Sequence, residues 1–327
     1  MTGRVCIIIV NYRTSDLLVN CLNSVAQQIG EPLELQTIVV DNASGDGSVE
    51  KIEETIEEKR WQSWVSVLPL DHNGGFAFGN NAGIRQALLS ADPVEFVMLL
   101  NPDTIVHEGA IRVLVDFMQS RPDVGVAGSR LENEEGTAEC SAHNAPSPLG
   151  ELEAAARLGV ISRVLRHYAV SPPMRGIAHE CDWVSGACLM VRREVFEQIG
   201  LFDEGYFLYF EEVDFCSRAR DASWKIWFVP ESRVTHFEGA STGIRNFVRR
   251  RPGFWYDSRR RYFLKHFGVL GLILADTLWA LGRISLWLRR MLGLGFGGSK
   301  QDPKWFAFDL LWGDLRALFT GRIWERS

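Results

Sequence analysis

The 327-residue chain is 46% apolar, enough for a packed interior, and its length fits one large α/β domain with an appendage. Its six cysteines (Cys6, Cys21, Cys140, Cys181, Cys188 and Cys216) form no CxxC pair, which excludes a zinc site or disulfide frame and reads as reduced core thiols of a cytosolic protein. The net charge of −6 conceals a reversal: residues 1–244 hold 19 Lys and Arg against 35 Asp and Glu, residues 245–300 hold 12 against 2, and the last 27 hold 4 of each.

Val5 to Val10 is a continuous apolar run, as expected of a strand covered on both faces, and no signal peptide is expected ahead of it. Leu17, Leu18, Cys21, Leu22, Val25 and Ile29 then recur at helical spacing behind the capping candidates Thr14, Ser15 and Asp16. Leu35–Val40 reads as a second strand and 48–59 as an acidic surface helix. Val65–Leu68 and Phe96–Leu100 read as further strands, and Ala110, Ile111, Leu114, Val115 and Met118 mark another helix. This βαβα order predicts an α/β fold with a mostly parallel central sheet, helices on both faces and ligands at the carboxyl ends of the strands. Residues 132–180 lose periodicity and contain Pro146, Pro148, Pro172 and Pro173, as a variable loop with short helices would. Regular structure resumes over 183–230.

Polar residues gather at the predicted strand ends. Strand one ends in Val10-Asn11-Tyr12, and strand two in Val40-Asp41-Asn42-Ala43-Ser44, where a carboxylate can accept from a base or ribose although a plain turn reads similarly. Asn73-Gly74-Gly75 allows close backbone approach, and the helix start after it offers N–H groups to phosphate. The adjacent Asn80 and Asn81 are harder to explain as structure alone. Asn101-Pro102-Asp103 puts a carboxylate directly after a buried strand, which suits a hard divalent cation holding a diphosphate. Further on, Glu211, Glu212 and Asp214 place three acids in four positions among aromatics, and Asp214 can pair with Arg218 at i,i+4. Clustered acids in an apolar setting raise one another's pKa, which suits a general base.

Taken in order, Val10-Asn11-Tyr12, Val40 to Ser44, Asn73 to Phe76, Asn101-Pro102-Asp103, Trp183 to Ala187, Phe202-Asp203-Glu204, Glu211 to Asp214 and His236 resemble glycosyltransferase family 2, inverting enzymes of the GT-A fold, and within it the bacterial rhamnosyltransferase-like branch. The resemblance covers roughly residues 4–243. It implies a GT-A catalytic domain over 1–244, its nucleotide-sugar half at 1–130 and its acceptor half at 131–244. It implies donor-nucleotide contacts at Val10, Asn11, Tyr12, Asp41, Asn73, Gly74, Gly75, Asn80 and Asn101, with Asp41 on a pyrimidine base and Asn81 nearby. Asp103 and His236 would bind Mg²⁺ or Mn²⁺. Trp183, Ser185, Gly186, Asp203, Asp214 and Arg218 would shape the donor-sugar and acceptor pocket. Glu212 would deprotonate the acceptor hydroxyl, with Glu211 as the rival base. Asn101 stands where the family's DxD motif has its first acid, and Glu212 where many relatives have Asp.

The implied reaction transfers a sugar, first L-rhamnose from dTDP-rhamnose and alternatively a sugar from a UDP donor, onto a glycan or polyprenyl-diphosphate-linked acceptor in cell-surface polysaccharide synthesis. Two rivals stay open. A sugar-1-phosphate nucleotidyltransferase would want a basic Gly-rich loop where Asn11-Tyr12-Arg13-Thr14 stands, and a decayed nucleotide-sugar-binding scaffold has only Asn101 in its favour.

The tail, residues 245–327, is basic and greasy. Arg245, Arg249, Arg250, Arg251, Arg259, Arg260, Arg261 and Lys265 precede the apolar 267–282, which Asp276 and Arg283 interrupt. A spanning helix needs about 20 apolar residues. The pattern therefore predicts in-plane amphipathic helices on an anionic membrane, and a peripheral protein on the inner face of the cytoplasmic membrane. The alternative is an ordinary helical extension. Nucleic acid is not expected as a partner, because no recognition motif accompanies the basic residues.

Overall fold

A computed structural model describes residues 3–30, 33–237, 250–294 and 302–320; Arg245 and Arg249 of the basic block lie outside them. The chain divides into two compact units, one of Met1–Ala142, Pro173–Phe207 and Glu211–Thr242, the other of His143–Pro172, Leu208–Phe210 and Gly243–Ser327.

The first unit opens with β1 (Gly3–Asn11), α1 (Ser15–Ala26), β2 (Leu33–Asp41), α2 (Ser48–Lys59), β3 (Val65–Pro69), α3 (Gly75–Leu88), β4 (Phe96–Leu100), β5 (Thr104–Val106), α4 (Ala110–Gln119) and β6 (Val124–Glu132). After the short β7 (Ala142–His143), the second unit takes α5 (Pro148–Ala156) and α6 (Gly159–Val164). The first resumes with β8 (His179–Glu180), β9 (Trp183–Val184), β10 (Cys188–Arg192), α7 (Arg193–Ile199), α8 (Glu211–Asp221) and β11 (Lys225–His236). The second closes with α9 (Gly253–Met291) and α10 (Phe306–Thr320).

The main sheet runs β3-β2-β1-β4-β10-β6-β11-β5, with β8 on β11. Its N-terminal side, β3-β2-β1-β4, is parallel throughout, and β6 and β11 are parallel to each other. Strand β10 runs antiparallel to β4 and β6, and β5 antiparallel to β11. The expected mostly parallel sheet with flanking helices is present. Side chains alternate along a strand, so Val5, Ile7 and Ile9 of β1 join Leu18, Leu22, Ile111 and Leu114 in one core, while Cys6, Ile8 and Val10 join Ala77, Ile84 and Phe215 in the other. All six cysteines are free, and burial pushes Cys6, Cys21 and Cys188 up to about 12, so they stay thiols.

The second unit regroups the sequence. Residues 143–172 group with the C-terminal helices in the second unit. The reason is packing: α5 lies on α9, where a side chain on Gly282 would meet Ala155 Cβ at 2.8 Å. Gly268 (φ 68°) breaks the helical geometry of α9 and divides it in two. Beyond that kink, Leu272, Ala275, Trp279, Gly282 and Leu286 form a buried seam. On the same helix Leu270, Leu274, Leu281, Ile284, Leu288 and Met291 are between 48% and 82% exposed. By length and composition alone, α9 contains a stretch that could cross a membrane.

The basic block is partly turned inward. Arg259 is 1% exposed and pairs with Glu151, Asp276 and Asp314 at 3.2, 2.9 and 3.1 Å. Burial alone lowers its pKa, but the three carboxylates outweigh that and raise it. Arg260 pairs with Asp257 and Asp314, Arg250 with Asp309 and Arg283 with Asp302. These four arginines therefore have carboxylates to hold within the unit, and the expected headgroup-facing flank loses Arg259 outright.

Candidate active site

The parallel geometry brings the strand ends together. Asn11 and Asp41 are register partners at the ends of β1 and β2. Asp41, 2% exposed, accepts from Asn11 Nδ2 at 2.7 Å, Ser44 Oγ at 2.6 Å and Ser44 N at 3.0 Å. Asn11 is fully buried and its Oδ1 accepts from Thr14. Its amide thus braces Asp41 on one side and the start of α1 on the other. Ser44, the last residue of the Val40–Ser44 motif, had no role of its own in the sequence reading, and here it closes an Asx-type turn on Asp41. Val10 is packed in the core, whereas Tyr12 is half-buried with the Arg13 guanidinium 5.2 Å over its ring. Arg13 itself adopts φ 57° and donates Nε to Ser44 O at 3.0 Å.

The glycine turn is a junction between backbones. Asn73 Oδ1 accepts from Gly75 N at 2.9 Å and Asn42 Nδ2 at 3.0 Å. Gly75 has φ 89°, and a Cβ there would lie 2.1 Å from Phe207 O. A Cβ on Gly74 would lie 2.3 Å from the Phe78 ring. Phe76 N donates to Phe207 O at 2.7 Å. The N–H groups of Gly75 and Phe76, expected to face phosphate, are thus engaged within the protein. Asn80 is 1% exposed and donates to Phe76 O one turn back within α3. Asn81 binds the Phe202–Glu204 loop.

The pairing of β5 with β11 sets His236 opposite Thr104 and brings Asp103 to it. His236 Nε2 lies 3.3 Å from Asp103 Oδ1 and 3.3 Å from Asn101 Nδ2. Both Asp103 and His236 are buried, at 5% and 8% exposure. Among the described residues Asn101 Oδ1 and His236 Nδ1 find no hydrogen-bond partner. A buried polar atom left unpaired costs about 1–3 kcal/mol, so a ligand there is favoured. Among the described residues no three His, Cys, Asp or Glu side chains form a cation cage. One carboxylate, one imidazole and one amide fit a divalent ion that takes its other oxygens from a diphosphate.

Asn101 N donates to Ala187 O at 2.9 Å, which joins this cluster to the turn after β9. In that turn Ser185 N donates to Ser141 O and Ser185 Oγ accepts from Ala187 N. A Cβ on Gly186 would lie 3.7 Å from Glu212 Oε1 and 3.6 Å from Phe76, so glycine leaves room beside that carboxylate. Trp183 is half-buried on β9. Burial raises the Glu212 carboxyl to about 7, against the opposing backbone N–H groups of Glu212, Gly186 and Val213. Its Oε2 finds no hydrogen-bond partner among the described residues. Glu211 is more deeply buried, at 3% exposure.

Three residues expected in the pocket also tie the fold together. Asp214 is fully buried and held by Arg218 Nε at 2.9 Å, and the same guanidinium donates to Ile199 O and Leu201 O at 2.8 Å each. Asp203 Oδ1 accepts from Gly205 N at 2.9 Å, which folds the loop ahead of α8. The arrangement therefore offers an anchored carboxylate for a base or ribose, a two-residue cation site with an amide beside it, and a carboxylate of near-neutral pKa for proton abstraction.

Comparison with known proteins bears on the same segments. A family model described as "Glycosyl transferase family 2" matches residues 6–200. An N-acetylglucosaminyl-diphospho-decaprenol L-rhamnosyltransferase of Mycobacterium tuberculosis is 30% identical over 256 residues, 74% of this chain and 79% of the relative. A low-salt glycan biosynthesis hexosyltransferase of Haloferax volcanii is 31% identical over 219 residues, 65% of this chain; the match spans only 61% of that protein's length. The crystal structure of GalNAc-T7 with UDP, GalNAc and Mn²⁺ superposes with a TM-score of 0.62 at 15% identity, covering 97% of this chain and 58% of that one.

Proposed function

The chain belongs to glycosyltransferase family 2, and from that premise we propose that it transfers L-rhamnose from dTDP-rhamnose, with inversion, to a polyprenyl-diphosphate-linked glycan at a membrane. The observation that carries the reading is Glu212, a carboxyl raised to about 7 with a free oxygen beside Gly186. A base near neutrality takes the acceptor hydroxyl proton efficiently. A single displacement inverts the anomeric carbon, so the site needs no protein nucleophile. Glu212 is favoured over Glu211 because it is the less buried of the two.

Asp103 and His236 would hold Mn²⁺ or Mg²⁺, with Asn101 beside them. When bound, that ion neutralises charge on the departing nucleoside diphosphate. Asp41, braced by Asn11 and Ser44, presents a fixed acceptor to the nucleobase or ribose. The sugar and acceptor assignments are supported by the name of the mycobacterial relative, and the dTDP carrier follows from the family resemblance of the sequence. Membrane association is supported by the exposed apolar stripe of α9 together with Trp305, Phe308, Trp312, Leu315 and Phe319 at α10, and would make the protein peripheral on the cytoplasmic face.

A panel of dTDP- and UDP-sugars, with Mn²⁺ or Mg²⁺ and N-acetylglucosaminyl-diphospho-decaprenol, tests the proposal by mass spectrometry of the product. A rhamnosylated lipid is expected. Transfer only from a UDP-sugar would replace the donor, and no transfer or hydrolysis from any donor would overturn the reading.

A further inference from the structure

Asparagine is a poor choice inside a helix, because its amide competes with the backbone. Asn81 sits in the middle of α3, 1% exposed, and gives its side chain to a segment over a hundred residues away. Its Oδ1 accepts from Phe202 N at 3.0 Å, and its Nδ2 donates to Phe202 O at 2.9 Å. The amide thus grips both backbone groups of one residue, as a neighbouring strand would. Nδ2 also donates to Glu204 Oε1 at 2.9 Å, and Arg85, one turn further on, donates to that same oxygen at 2.6 Å. At the start of α3, Phe76 N holds Phe207 O. The loop Phe202–Phe207 is therefore fastened to α3 at both ends.

The same loop is tied to α8. The Phe202 ring stacks on Phe215, with centroids 4.5 Å apart and planes 22° from parallel. Phe215 lies three residues beyond Glu212. Arg218 of α8 holds the carbonyls of Ile199 and Leu201, just ahead of the loop. Phe202 is the one residue gripped by the amide of α3 and stacked on the ring of α8.

We propose that Asn81 is a positioning residue: by clamping Phe202 it sets where α8 presents Glu212 relative to the glycine turn at the start of α3. The inference rests on the reading of Glu212 as the base. It gives α3 a second role, as the ruler between donor and acceptor chemistry, and explains an Asn where a helix has no use for one.

Asn81→Asp keeps the acceptor for Phe202 N–H but sets an oxygen against Phe202 O and Glu204. Glu204→Gln in the same chain restores a donor opposite position 81. Turnover is read with dTDP-rhamnose and N-acetylglucosaminyl-diphospho-decaprenol, or with the donor that the panel selects. A shift of about 1 Å in a reacting group costs on the order of a hundredfold in rate. Asn81→Asp is expected to lower kcat by roughly tenfold to a hundredfold, leave the donor KM within about twofold and move the acidic limb of the kcat–pH profile. The double variant is expected to recover most of that loss. A wild-type kcat and pH profile in Asn81→Asp overturns the proposal, as does a loss that merely follows melting temperature and is not recovered by the swap. If Asn81→Asp does not fold, Glu204→Gln and Arg85→Met carry the test: a lower kcat at unchanged donor KM supports it, and unchanged kcat in both overturns it. Glu212→Gln is run alongside. Full turnover in Glu212→Gln sinks the base assignment itself, whereas an inactive Glu212→Gln with a wild-type Asn81→Asp sinks only the clamp.

Discussion

Glu212→Gln should make the enzyme inactive and, at alkaline pH, more stable. Burial raises this carboxyl from 4.5 to about 7, so between those values the folded state binds more protons than the unfolded state. Stability is therefore complete below pH 4.5 and falls as pH rises through 7. A rise of this size, at 1.36 kcal/mol per pKa unit, amounts to about 3 kcal/mol once the group is ionised. Glutamine has nearly the same shape and no charge to bury. Relative to wild type, Glu212→Gln should gain about 3 kcal/mol at pH 8 but under about 1 kcal/mol at pH 5. In a domain of this size that corresponds to a melting temperature higher by roughly 6–12 °C at pH 8. Differential scanning fluorimetry at pH 5, 6, 7 and 8 on both proteins, beside the turnover assay, reads both halves. A stability difference that does not change with pH would refute the account of Glu212 as a buried, desolvated acid.

Three other outcomes follow from the same geometry. Asp103→Ala should lower kcat/KM by roughly two orders of magnitude and raise the Mn²⁺ concentration needed for half-maximal rate; a metal titration matching wild type would remove Asp103 from the cation site. Arg259→Met leaves Glu151, Asp276 and Asp314 without their shared cation and should cost about 3–5 kcal/mol in urea unfolding at pH 8. That loss should shrink below pH 6, because burial already holds Asp276 up at about 7 and protonation relieves the cluster; a pH-independent loss would count against the charge argument. Replacing Leu274, Leu281 and Leu288 by Glu removes apolar area that is already exposed, so melting should move little while sedimentation with anionic vesicles falls at least about tenfold. Unchanged vesicle binding would assign membrane attachment elsewhere.

The nucleotide side of the fold was legible because its signals are local. Val5–Val10 could only be a doubly covered strand, and α2 occupies the predicted 48–59. Asp41 was legible as a strand-end polar group because parallel strands put their ends together, whereas Asp103 and His236 meet only through the antiparallel pairing of β5 with β11. What sequence could not give was the direction of a buried amide. Asn11, Asn73 and Asn80 read as ligands, yet each is hydrogen-bonded within the protein. The motif marks the residue without saying whether it touches the substrate or holds the residue that does. The basic block misled for a similar reason: counting charge over 245–300 cannot reveal that Arg259 is buried among acids from α5, α9 and α10. The grouping of 143–172 with the C-terminal helices rests on a fit between Ala155 and Gly282, far apart in sequence and invisible to periodicity.

The missing side chain at Gly75 has a consequence for how such an enzyme can change. Phe207 O fills the space a methyl group would take, so this point of the turn cannot be enlarged without moving the loop that leads into α8. Under the proposed roles, with the β1 and β2 loops on the donor and Glu212 as the base, a substitution at Gly75 would shift both sides together, because Asn73 ties this turn to Asn42 and Phe207 O closes it from the other side. The close approach of two backbones makes the turn a fixed pivot.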